Sequence, residues 1–81
     1  MADSGLDAAY KEIRTRLDGE DATRLNLAQR LWIQYRDANC TAERELYAGG
    51  TAAPVVYLAC LEVMTRARTR ELLATYAVRL K

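Results

Sequence analysis

Apolar residues recur along this chain at helical spacing, and no segment alternates at the two-residue period of a strand bounded by turns. The first series is Leu6, Tyr10, Ile13 and Leu17, spaced 4, 3 and 4, with Lys11, Arg14 and Arg16 off the stripe. It predicts an amphipathic helix of roughly 15 residues, about 22 Å long. Asp3 and Ser4 are suitable N-caps, and Asp7 suits the positive end of the first turn. Asp18-Gly19 is the expected end, because glycine reaches the left-handed conformation that many C-caps need.

A second helix is expected from Asp21, a good N-cap. Its stripe reads Leu25, Ala28, Leu31 with Trp32, Tyr35, Ala38-Asn39, Ala42 and Leu46, with no Gly or Pro until Gly49-Gly50. The third begins near Pro54, whose missing N–H has no helical partner in a first turn. It carries Val56, Ala59, Cys60, Val63, Met64, Ala67, Leu72, Leu73, Tyr76 and Leu80. Each of these helices would run about 25 residues and roughly 37 Å. The expected architecture is all-α: a long antiparallel helical hairpin with a shorter N-terminal helix packed on it.

With 81 residues the chain is expected to form one domain, residues 1–81, with a marginal core. Twelve basic and eleven acidic residues leave a net charge of +1, which supplies no electrostatic case for nucleic acid or an anionic membrane. There is no apolar run long enough to span a bilayer. The opening Met1-Ala2-Asp3-Ser4-Gly5 lacks the basic start and apolar core of a signal peptide. The expectation is therefore a cytosolic protein, or one whose signal has been removed and a starting Met supplied.

Cys40 lies nine residues before Gly49, and Cys60 ten after Gly50. In a hairpin turning at the glycines the two fall at about the same height and can meet at disulfide distance. Closing a loop of about 20 residues would contribute roughly 3 kcal/mol. The alternative is a pair of reduced cysteines packed as small hydrophobes. With no His in the chain, a metal site would need carboxylates to complete its shell, and no C-x-x-C redox motif occurs. No cofactor is implied. The absence of His and of any nucleophile–base pair argues against an enzyme.

Gln29, Trp32, Arg36 and Cys40, spaced 3, 4 and 4, share one helix face, with Tyr35 and Asp37 beside them. Trp32 and Arg36 can stack as a cation–π pair. An arginine on a buried stripe needs a partner, and Glu62 or Glu71 is the expected one. The cluster either builds the hairpin core or forms a ligand pocket.

The string Gln29-Arg30-Leu31-Trp32-Ile33-Gln34-Tyr35-Arg36-Asp37, then Cys40, a glycine pair and Cys60-Leu61, resembles the lysozyme-inhibitor LprI-like family of secreted bacterial proteins. Asp3, Leu6 and Tyr10 match the family's opening, and Thr65, Arg66, Arg68, Glu71 and Leu72 stand where its later stretch falls. The resemblance runs roughly from Asp3 to Leu73 and implies export to the periplasm or cell envelope, where disulfides persist. It further implies a protein partner, a lysozyme or another peptidoglycan hydrolase, which cleaves its substrate in a carboxylate-lined groove. The candidate binding element is the loop Tyr47-Ala48-Gly49-Gly50-Thr51-Ala52-Ala53, with Tyr47 as an aromatic anchor or, alternatively, packed under the turn. The rival functions are a structural or assembly module of the envelope, including one that pairs with its own copy as a homo-oligomer, and a toxin-immunity protein.

Overall fold

The computed structural model describes the backbone from residue 2 to residue 81 and the side chains from residue 4 onward. Three helices follow in order: α1 at Ala2–Thr15, α2 at Gly19–Glu45 and α3 at Ala53–Thr75. The last two are 27 and 23 residues long, close to the length expected of each. They form an antiparallel hairpin turning at Gly49-Gly50, and α1 lies mainly along α3. The molecule measures about 47 × 20 × 16 Å.

The ends of the helices depart from expectation in ways that local hydrogen bonding explains. Helix α1 already begins at Ala2, so Ser4 lies inside its first turn and does not cap it. Asp3, the other expected cap, lies outside the described side chains. At its far end α1 stops at Thr15, and two tight turns carry the chain through Arg16 and Leu17. Asp18 is then the N-cap of α2, not part of a C-cap for α1: its carboxylate accepts the Asp21 N–H at 2.7 Å. Gly19 is the first residue of α2 and has no positive φ. Asp21 moves into the first turn, where with Glu20 it complements the helix dipole. Asp18→Ala is expected to cost about 1 kcal/mol in urea unfolding, whereas Asp21→Ala, which removes no cap, should cost only a few tenths.

Pro54 sits in the first turn of α3, as expected. The helix ends at Thr75, short of Leu80, and a 3-10 turn at Ala77–Leu80 folds the chain end back onto the bundle. That turn returns Leu80, with Tyr76, to the hydrophobic core.

The core forms where α1 covers the hairpin. Leu6 and Ile13 of α1 meet Leu25 of α2 and Leu72 of α3, with Tyr10, Leu17 and Trp32 packed against them. This centre lies in the half of the hairpin away from the glycines. The other half is two helices thick, and there the Cys40–Cys60 disulfide joins α2 to α3 across a Cα separation of 5.5 Å. Met64 packs on the bond, its Sδ 3.7 Å from Cys40 Sγ.

One part of the hydrophobic pattern is corrected by the packing. Of the expected α2 stripe, Leu25 is buried and Trp32 half-buried, but Leu31, Tyr35 and Leu46 are 55%, 61% and 79% exposed. Ala28, Ala38 and Ala42 are exposed with them. The buried face runs instead through Leu25, Gln29, Trp32, Arg36 and Cys40. On α3 the expected Ala59, Val63, Ala67 and Leu73 face solvent, while Thr65 is buried. The disulfide explains the choice. Once Cys40 is tied to Cys60, the residues one, two and three turns below it on the same side must face α3, whatever their polarity.

Candidate functional site

Two regions gather the residues singled out by sequence. The first is the seam between α2 and α3 below the disulfide. Arg36 stacks on Trp32, its guanidinium carbon 5.2 Å from the ring centroid. Its Nε donates to Asp37 Oδ1 at 3.0 Å, and a terminal nitrogen donates to Thr65 Oγ1 at 3.3 Å. Glu62 and Glu71 are therefore not the partners observed for it. Glu62 accepts from Arg66 one turn along the outer face of α3, and Glu71 accepts from Arg68. A carboxylate on the same helix, three or four residues away, reaches a guanidinium at less entropic cost than one across the hairpin.

Arg68, read in the sequence only as part of the family's later stretch, also belongs to this seam. Its Nε donates to the buried Gln29 Oε1 at 3.0 Å, and its guanidinium lies 6.0 Å from the Trp32 ring. Trp32 thus carries two guanidiniums, one from each helix of the hairpin. Thr65, named in the same stretch, likewise had no expected place in the seam. The signal was present in the spacing: counting on from Cys60, positions 64/65, 68 and 72 continue one helix face. Tyr35, although part of the same motif string, points into solvent.

The seam satisfies its own polar groups: no described buried side-chain nitrogen or oxygen lacks a partner. Both guanidiniums are committed to ring, amide, hydroxyl or carboxylate contacts. Such a network locks the register of α2 against α3. An open cleft of about 430 Å³ runs beside it, edged by Asp7 and Tyr10 of α1 and by Gln29, Arg30 and Arg36 of α2. Among the described residues no three His, Cys, Asp or Glu side chains cluster in a way that could hold a metal ion.

The second region is the tip of the hairpin. Leu46, Tyr47 and Ala48 continue the end of α2 by short backbone bonds, and Gly50 N–H closes a turn onto the Tyr47 carbonyl at 3.0 Å. Gly49 adopts φ +86°, which an L-residue reaches only with strain. A side chain on Gly50 would bring its Cβ within 3.3 Å of the Tyr47 carbonyl oxygen. Thr51 follows on the exposed turn leading into α3. Tyr47 is 49% exposed, so its ring is not enclosed beneath the turn.

From Leu46 through Leu61 no side chain is charged. Leu46, Tyr47, Val55, Leu58 and Val63 are all exposed around this end. Leu46, Tyr47, Val56, Val63 and Met64 line a shallow groove of about 400 Å³ on one side, with Cys60 in its lining and the Glu43 carboxylate at one edge. Apolar groups presented this way are characteristic of a surface that meets another molecule. The disulfide braces the base of the tip, and Arg44 lies 4.8 Å over the Tyr57 ring just above it.

With this geometry in view, comparison with known proteins is specific. The family model described as lysozyme inhibitor LprI matches residues 1–72. An uncharacterized protein of Rhizobium meliloti (strain 1021) is 44% identical over 48 residues, which make up 59% of this chain. The matched stretch spans 34% of that relative's length. No solved structure matches.

Proposed function

The chain belongs to the lysozyme inhibitor LprI family, and we propose that it binds and blocks a lysozyme-type or related peptidoglycan hydrolase with the tip of its helical hairpin. The observation that carries this reading is the tip itself: an uncharged, apolar projection held at its base by a covalent clamp. A hydrolase that cleaves glycan chains offers a groove, and occupying that groove requires shape and rigidity more than chemistry. Bracing the tip in advance reduces the ordering cost of binding. Tyr47 is the anchor, since a half-exposed tyrosine brings apolar area and a hydroxyl at little entropic cost.

Charge plays a local part. Glu20 and Asp21 are paired with Arg24 at the opposite end of the molecule and do not adjoin the tip. Glu43 and Glu45, the latter paired with Arg44 at 3.4 Å, lie on the last turns of α2 beside the loop, where they can meet the basic surface of a lysozyme. The disulfide and the family also support an extracytoplasmic location, in the periplasm or outside the cell, where such a bond persists. The protein acts in this reading as a binding partner and not as a catalyst.

The test is muramidase turnover with stoichiometric protein. Inhibition is expected with the natural chain. Tyr47→Ala should weaken it by roughly thirtyfold, a typical loss for an aromatic anchor. Gly49→Arg should abolish it, because it strains the positive-φ turn and places a charge on an uncharged tip. Absence of inhibition against every lysozyme class would remove the reading. Inhibition untouched by both substitutions would move the contact away from the loop.

A further inference from the structure

The apolar face of α2 that the hairpin leaves uncovered has an internal symmetry. Leu27, Leu31, Tyr35, Ala38, Ala42 and Leu46 are spaced 4, 4, 3, 4 and 4, a series symmetric about the midpoint between Arg36 and Asp37. All six are exposed, and at 3.6 residues per turn they lie on one side of the helix. That side is turned away from Cys40 and from the cleft that α2 shares with α1. The stripe extends about 28 Å along α2.

We propose that this stripe pairs with its own copy, α2 against α2, in an antiparallel two-fold dimer. The proposal does not rest on inhibition of a hydrolase. A two-fold axis at the midpoint sets Leu31 of one copy opposite Ala42 of the other, and Tyr35 opposite Ala38. The two inner large side chains, Leu31 and Tyr35, then each meet a small one, the arrangement that lets two helices approach closely and interdigitate. Leu27 meets Leu46 at the two ends. Because the interface is isologous, each of these pairings occurs twice.

The charges at the ends of the stripe select the orientation. On this face the last charged residue before Leu27 is Arg24, and the first after Ala42 is Glu45. Antiparallel pairing brings Arg24 of one copy within a long side chain's reach of Glu45 of the other. Parallel pairing would instead set Arg24 against Arg24 and Glu45 against Glu45. Arg24 contacts Glu20 and Asp21 of its own helix through one bond from each terminal nitrogen, which leaves donors for a third carboxylate.

The contact is modest in area. A helix face of this length covers on the order of 400 Å² per copy, about half of a standard interface. Self-association is therefore weak, with a Kd of roughly 100 µM.

Sedimentation equilibrium of the intact, oxidised chain between about 10 µM and 1 mM is the test, with circular dichroism to check that each variant is folded. The expected result is a molar mass rising from one 9.1 kDa chain toward two. Ala38→Glu sits on an exposed position and should leave the helices intact while raising Kd at least thirtyfold, since two carboxylates would face each other and Tyr35 near the axis. Arg24→Glu should weaken the dimer severalfold, and Arg24→Glu with Glu45→Arg should restore it. Tyr47→Ala should leave it unchanged. A natural chain that stays monomeric at about 1 mM overturns the proposal and points to a different protein as the stripe's partner. A dimer indifferent to Ala38→Glu overturns it too, and failure of the double charge exchange to restore association overturns the antiparallel arrangement.

Discussion

Reduction of the Cys40–Cys60 bond is expected to lower the stability of this protein by about 3 kcal/mol, the loop-entropy figure for a loop of this size. In a domain this small each kcal/mol moves the midpoint several degrees, so thermal unfolding should fall by roughly 15 °C. The paired substitution Cys40→Ala/Cys60→Ala should reproduce the effect without reductant. The loss is large because of where the bond lies. The hydrophobic centre built from Leu6, Ile13, Leu25 and Leu72 supports one half of the hairpin, and the half beyond Cys40 has no third helix over it. There the disulfide with Met64 and the Arg44–Tyr57 contact hold α2 to α3. Amide hydrogen exchange offers a sharper reading than the midpoint. After reduction, amides between Cys40 and Cys60 should quicken most, through local opening, while those around Leu25 and Leu72 should quicken only as far as the fall in global stability requires. Equal acceleration along the whole hairpin would contradict this account of the bond as a local brace.

Trp32→Ala is the second large effect, expected to cost about 3 kcal/mol in urea or thermal unfolding. The ring packs against the core cluster on one side and carries the guanidiniums of Arg36 and Arg68. Its removal leaves a void and withdraws the aromatic surface from two half-buried cations. Neither cation can be accommodated cheaply, because each is held in place by its remaining bonds to Thr65 or Gln29. Tyr35→Ala provides the contrast. Tyr35 stands three residues away in the same motif string, yet its side chain is in solvent, so monomer stability should change by no more than about 0.5 kcal/mol. Comparable losses from both substitutions would mean that the motif acts as one structural unit, contrary to the packing.

These two residues illustrate what was legible in advance. The stripe Leu6, Tyr10, Ile13 and Leu17 needed only its spacing to be read, because α1 has a single apolar face and only one way to bury it. The disulfide was legible from its distance to the glycine turn, since equal arms of an antiparallel hairpin bring equal positions together. The face Gln29, Trp32, Arg36 and Cys40 was legible only as one candidate of two, since Cys40 marks it while the stripe through Leu31, Tyr35 and Leu46 is the more apolar. The partner of Arg36 was not legible. Several carboxylates lay within plausible reach, and the choice among them depended on rotamer and register, not on spacing.

By itself the sequence determined the helical class, the number of long helices, the hairpin with its clamp at Cys40 and Cys60, and the family whose motif this chain carries. Those features follow from local periodicity, glycine and proline chemistry, and distances counted along the chain. Only the tertiary structure decided which apolar residues of α2 are buried. That helix has apolar side chains on two faces, and periodicity alone favours the richer one, through Leu31, Tyr35, Ala38, Ala42 and Leu46. The packing of α3 chose the other, polar seam and all, because a covalent bond and a saturated Arg–Trp–Arg network outweigh the burial of a few exposed leucines. The face left over is what a second molecule is free to use.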